Sequence, residues 1–300
     1  MNYNNKIQIY YPKENFLDQP RLQEQWYGYI LRGFKEIGCE IVFSDEKTKN
    51  SRCELTNCYT VFDLCVGNRR IRCIYDWSDF VKVNWEQLPD YDLLFKIQFH
   101  KSHLNRHKMR AMGQTVALLK YFDVMPDLRR EVIKNAYSYD INAVLRATNV
   151  KERSKCIKTI KATGRNVIAG LSERANYVID EDILIKRMEY VEHLYTQTHS
   201  KINVAMFGIQ GDWTWRHTEI LGMGACLMTL RSDYLLPGNP AGCWIEIKRD
   251  FSDLADKAEY YLTHEKERLE IAAAGRNYFD KVLSPAAQAK YIIDEAVKVL

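Results

Sequence analysis

Twice in this chain a strand, a helix and a second strand follow one another within about 40 residues, an order that forces the two strands to run parallel. In the first instance residues 6–11 alternate as a strand. Residues 21–37 then carry Trp26, Ile30, Leu31, Phe34 and Ile37 at helical spacing, Gly38 stops the helix, and residues 39–43 form the next strand. The second instance reads as a strand over 142–148, a helix over 150–163 ended by Gly164, and a strand over 166–170. A chain that restarts this rhythm midway is expected to build two similar α/β domains, divided near Ser138 and Tyr139.

Between the two restarts, residues 59–66 and 70–75 predict a hairpin around Gly67 and Asn68. Residues 92–98 and 116–119 read as further strands, and 122–126 as a loop. After the second restart come a long helix over 182–199, a strand over 201–207 and a late strand over 243–248. Helices over 253–262, 265–280 and 285–300 close the chain.

Composition sets limits. At 300 residues, 46% apolar and 12% aromatic, the chain holds ample material for two cores. A net charge of +4 is too weak by itself to argue for nucleic acid. No run of about 20 apolar residues is present, and Met1 to Ile7 shows no signal-peptide pattern. The expectation is a cytoplasmic protein, or one peripheral to a membrane. Of the eight cysteines, Cys53, Cys58, Cys65 and Cys73 cluster, but only the first two have zinc-like spacing. Buried thiols are the simpler reading, with neither zinc nor disulfides expected.

The stretch with the most chemistry is Trp213-Thr-Trp-Arg-His-Thr-Glu-Ile-Leu-Gly-Met-Gly-Ala-Cys-Leu-Met-Thr229. An aromatic, charged loop enters a short helix around Glu219. Gly222 and Gly224 end that helix, and a strand follows over 225–230. Such a helix start lies at the carboxyl edge of a parallel sheet, where free N–H groups and side chains can grip a ligand. Arg216 and Glu219 are three apart and share a helix face. A carboxylate there can accept two hydrogen bonds from a ribose diol, and an arginine suits a diphosphate. The plainer alternative is a surface ion pair worth under about 1 kcal/mol.

Arg216-x-x-Glu219-x-x-x-x-Gly224 resembles the donor-site motif of glycosyltransferases with the GT-B architecture, among them exostosin-like and bacterial spore-coat and capsule enzymes. Ser200 to Val204 resembles the strand that leads into that site, and 253–262 and 272–278 resemble the family's closing helices. The likeness spans about residues 140–295. It implies an α/β fold of two facing Rossmann-like domains: 1–138 on the acceptor side, 139–284 binding a nucleotide sugar, and a C-terminal helix, 285–300, crossing back to the first domain. It implies that Glu219 holds the donor ribose. Many relatives carry a second glutamate eight residues earlier; Gly211 stands there, with Asp212 beside it as the available carboxylate. Arg146, at the end of a strand, is the expected partner of the leaving diphosphate, with Arg153 and Lys155 as alternatives and Lys201 beside them. The implied donor is a UDP-sugar, with a GDP-sugar second, and no metal or other cofactor is required. The acceptor would be a hydroxyl of a glycan.

For the proton of that hydroxyl the candidates are Asp76 and Asp79, after a strand of the first half, and His100 and His103. Each reads equally as a turn or capping residue. Asp90-Tyr91-Asp92 matches a metal-binding Asp-x-Asp, but it precedes its strand and follows Pro89, which favours a turn. Three other readings stand beside the leading one. The acceptor could be a modified base in DNA, bound by Lys101, Arg106, His107, Lys108, Arg110, Arg129 and Arg130. The chain could be a non-catalytic nucleotide- or sugar-binding module. It could be a sugar-nucleotide epimerase of the same architecture.

Overall fold

A computed structural model describes residues 7–17, 23–54, 57–173, 177–208 and 211–299. Along the chain its strands and α-helices are β1 (Ile7–Pro12), α1 (Gly28–Glu36), β2 (Glu40–Ser44), α2 (Asp45–Asn50), β3 (Arg52–Glu54), β4 (Asn57–Val66), β5 (Arg69–Asp76), β6 (Leu93–Lys96), β7 (Met109–Ala111) and α3 (Tyr121–Lys134). They continue with β8 (Tyr139–Arg146), α4 (Val150–Lys161), β9 (Val167–Ser172), β10 (Leu184–Ile185), α5 (Tyr190–Thr198), β11 (Ser200–Ala205), α6 (Trp215–Met223), β12 (Leu227–Leu230), β13 (Ile245–Ile247), α7 (Leu254–Thr263), α8 (Glu265–Tyr278) and α9 (Pro285–Val297). Two compact units emerge: Met1–Leu119 with Asp233–Asn239 and Asp280–Leu300, and Lys120–Ser232 with Pro240–Phe279.

The first unit's sheet runs β2-β1-β4-β5-β6-β7, with β3 on β4. The expected parallel pair is β1 and β2. The sheet as a whole is mixed, because β4 runs antiparallel to both β1 and β5. The cause is local: Gly67, at φ 58°, turns the chain in two residues, too short a link for a parallel crossover. Residues 116–119, read as a strand, form none; β7 takes the sheet edge instead. Their approach is fixed by side chains, since Gln114 Oε1 accepts from Trp26 Nε1 at 3.2 Å and from the Thr115 N–H at 2.9 Å. Helix α9 begins where Ser284 caps it and Pro285 starts it. It packs on α1, with Tyr29 donating to the Leu283 carbonyl at 2.6 Å.

The second unit carries an all-parallel sheet, β10-β9-β8-β11-β12-β13. Ile141, Leu145, Ile157, Ile202, Met228, Ile245 and Leu254 share its core. Its central strands β11 and β12 are buried almost along their whole length, as a sheet covered on both faces requires. The stretch 122–126, read as a loop, lies inside α3, with Pro126 in the second turn at the cost of one backbone bond. This helix moves the division between units to 119/120, away from the 138/139 of the sequence reading. The Tyr121 hydroxyl donates to the Glu219 carbonyl at 2.8 Å, and Arg129 donates to the Gly222 carbonyl at 2.8 Å. The long helix expected over 182–199 is shorter. Leu184 and Ile185 pair with β9 as a strand, and α5 starts only at Tyr190, where Glu192 Oε2 accepts from the N–H of the N-cap Glu189 at 3.3 Å.

Candidate functional site

In the second unit, β11 delivers the chain to the carboxyl edge of the sheet, and α6 returns it to β12. The start of α6 is locked by a residue that the motif treats as filler. The Thr214 N–H donates to His217 Nδ1 at 3.1 Å, so the ring proton sits on Nε2, which reaches Thr229 Oγ1 at 2.8 Å. Burial drives the His217 pKa down to about 3, so the ring is neutral. Trp213 packs edge-on against both His217 and Trp244. The glycines divide their work. Gly224, at φ 82°, is the left-handed cap, whereas Gly222 lies within the helix, where a Cβ would come 2.5 Å from the Tyr121 hydroxyl.

Glu219 is buried, 2% exposed, and its Oε1 accepts from the Tyr190 hydroxyl at 2.6 Å. Arg216 lies one turn earlier, half-buried. Burial lowers its pKa while the Glu219 carboxylate opposes the shift, and among the described residues none hydrogen-bonds to its guanidinium. His193 stands across from them on α5. Its Nδ1 is buried without a partner among the described residues, its Nε2 faces Gln197 Nε2 at 3.1 Å, and burial, then Arg216, holds its pKa near 3. Tyr190 and His193 had no signal in the sequence beyond lying on a predicted helix.

The other donor-side candidates separate. Arg146 ends β8 at the carboxyl edge, exposed. Arg153 is engaged by the protein itself. It is buried, and its guanidinium donates to the Arg146 and Phe207 carbonyls, both at 2.5 Å, tying the exits of two strands together. Lys201 lies at the opposite edge of the sheet, at the start of β11, paired with Asp140 at 2.8 Å. Six residues of strand, roughly 20 Å, separate that level from Arg146. Asp212 is engaged by Ser232 at 2.7 Å and by Arg249. Gly211 is buried, and its carbonyl accepts from the Gly208 N–H at 2.7 Å.

In the first unit, Asp76 ends β5 but is committed to structure. Lys96, 0% exposed, places Nζ 3.1 Å from Asp76 Oδ1, which also accepts from the Ser78 hydroxyl at 2.7 Å and the Ser78 N–H at 3.0 Å. The remaining ammonium protons go to the Ser78 carbonyl and hydroxyl. Asp79 differs. Among the described residues none hydrogen-bonds to its carboxylate, and burial raises its pKa, with Lys96 opposing. His100 caps a 3-10 turn through Ser102 and stacks edge-on against Tyr234. His103 lies beneath, its pKa lowered by burial and then by Lys96.

Of the cations proposed for DNA, Lys101, Arg106, His107, Lys108 and Arg130 are exposed. Lys101 pairs with Asp233, Arg110 with Glu295, Arg130 with Asp127, and Arg129 is spent on a carbonyl. Arg106 and Lys108 lie over the rings of Trp85 and Tyr91. Asp92 accepts from the Arg72 N–H at 2.8 Å, and Cys53 and Cys58 face each other across β3 and β4. Among the described residues no three His, Cys, Asp or Glu side chains converge to hold a metal ion, and no helix is long and apolar enough to cross a membrane.

Comparison with known proteins agrees with this layout. The chain has the fold of the GT-B class. It superposes on HepE of Anabaena in complex with UDP with a TM-score of 0.52 and 10% identity, over 70% of this chain and 64% of that one. Sucrose-phosphate synthase from Thermosynechococcus elongatus gives 0.48 at 13% identity, over 71% and 60% of the two chains. UDP-GlcNAc 2-epimerase from Neisseria meningitidis bound to UDP-GlcNAc gives 0.41 at 12%, over 76% of each. The chain thus covers less than two thirds of the length of HepE and of sucrose-phosphate synthase. Residues 153–294 match the family model described as glycosyl transferase-like, which places that stretch among glycosyl transferase-like sequences. A comparison with curated proteins finds no match.

Proposed function

We propose that this protein is a glycosyltransferase that moves a sugar from a UDP-sugar to a hydroxyl acceptor. The observation that carries the reading is the pair on α6: a buried carboxylate, Glu219, one turn after a half-buried guanidinium, Arg216, that no described residue hydrogen-bonds. Carboxylate for diol and guanidinium for diphosphate is the division of labour a nucleoside diphosphate needs. Arg146 is the second cation at the same sheet edge. As the bond between the anomeric carbon and the diphosphate breaks, charge builds on the departing nucleotide, and fixed cations stabilise it. Asp79 is the candidate base for the acceptor hydroxyl: an unbonded carboxylate with a raised pKa is better matched to proton abstraction than the ion-paired Asp76.

UDP is favoured over GDP because HepE, a neighbour with a TM-score of 0.52, is a UDP complex. A glycan acceptor, independence of metal, a cytoplasmic location and the domain roles given above all belong to this proposal. A thermal-shift screen with UDP-, GDP-, ADP- and CMP-sugars tests it. Stabilisation by UDP-sugars, about 2.7 kcal/mol at a hundredfold excess over Kd, is the expected result. No shift with any of the four would overturn it.

A further inference from the structure

Helix α5 presents two side chains, Tyr190 and His193, three residues apart, to two side chains of α6, Arg216 and Glu219, also three apart. The Tyr190 hydroxyl donates to Glu219 Oε1 at 2.6 Å, which fixes the rotation of the carboxylate. His193 is set differently. His193 Nε2 lies 3.1 Å from the Gln197 side-chain amide, which engages that edge of the ring and leaves Nδ1 as the other. Nδ1 is buried with no partner among the described residues, beside a guanidinium that none of them hydrogen-bonds. A buried ring nitrogen without a partner, next to a half-buried guanidinium, forms a place where an anion would supply the missing acceptor.

We infer that α5 completes the nucleotide site, with Tyr190 as the positioning residue that orients Glu219 on the ribose, and His193 as a neutral second donor to the phosphate that Arg216 binds. This rests on the nucleotide-sugar reading above. It goes further in assigning ribose selectivity and phosphate selectivity to two residues of a different helix.

The test is a set of affinity ratios, which partial misfolding does not move. UDP, 2′-deoxy-UDP and uridine are titrated by calorimetry, directly or by competition, against the full chain and Tyr190→Phe, His193→Phe and Glu219→Gln. The full chain should prefer UDP over deoxy-UDP by about tenfold, the scale of a hydrogen bond to a charged group. Tyr190→Phe should cut that preference to threefold or less and leave the UDP-to-uridine ratio alone. His193→Phe should lower the UDP-to-uridine ratio about tenfold and leave the deoxy ratio alone. If Glu219→Gln abolishes the deoxy preference while neither α5 variant moves its ratio, the nucleotide reading stands and this inference falls. If the full chain does not distinguish UDP from deoxy-UDP, or Glu219→Gln leaves that preference intact, the ribose reading itself falls and the inference with it.

Discussion

Replacing Lys96 with methionine isolates the assignment of Asp76 to structure. The ammonium is 0% exposed and makes bonds of 3.1, 3.1 and 3.0 Å to Asp76 Oδ1, the Ser78 carbonyl and the Ser78 hydroxyl. Methionine fills similar space but leaves the Asp76 carboxylate buried with only the two Ser78 donors. Breaking a buried pair from one side costs about 3–5 kcal/mol. For a unit of this size, about 2–4 °C are lost per kcal/mol, so the melting point should fall by roughly 6–20 °C. Urea unfolding followed by fluorescence would measure it, with the midpoint lowered and the slope unchanged. Adding Asp76→Asn should recover part of the loss, because the stranded charge is gone, and the double-mutant cycle should show coupling above about 1 kcal/mol. A single-mutant cost below 1 kcal/mol, or no coupling, would refute the reasoning and return Asp76 to the candidate bases.

Further outcomes follow from the same geometry. The His217 pKa is depressed to about 3 in the folded protein. Below about pH 6.5 the unfolded chain binds a proton that the folded chain refuses, so stability should fall with decreasing pH between about 6 and 4, by up to about 1.4 kcal/mol per unit per histidine. His217→Asn should flatten that slope in pH-dependent unfolding, and an unchanged slope would contradict it. Asp79→Asn should lower kcat by about 100-fold or more with donor affinity unchanged. The wild-type acid limb, with activity present above the raised Asp79 pKa and lost as pH falls through it, should lie above pH 3.8 and vanish in the variant. Arg153→Met should destabilise by about 1–3 kcal/mol through its two stranded carbonyls. A loss of UDP affinity in a variant of unchanged stability would instead return Arg153 to the site.

Local signals made much of the fold legible. The period-2 run ending at Val66, the Gly67-Asn68 turn and the run to Tyr75 appear as β4 and β5. The strand–helix–strand restart appears as β8, α4 and β9. Where tertiary pairing decides, the sequence was silent. Leu184 and Ile185 look like the start of a helix until β9 offers them a partner. Pro126 signals a break, yet α3 absorbs it because the helix is anchored through Tyr121 and Arg129. In the candidate site, Arg216 and Glu219 were readable because three-residue spacing is a local fact. Lys201 was misplaced because charge and position near the motif do not reveal which end of a strand a residue occupies. Tyr190 and His193 escaped notice because their meaning depends on which helix α5 lies against.

The central claim is that Glu219 and Arg216 form a nucleotide-binding pair. Calorimetric titration of UDP into the wild-type chain and Glu219→Gln tests it most directly. The account predicts a loss of about 1–3 kcal/mol in the variant, roughly 5- to 150-fold in Kd, with folding confirmed by an unchanged far-UV spectrum. A folded Glu219→Gln variant that binds UDP as tightly as the wild type would contradict it.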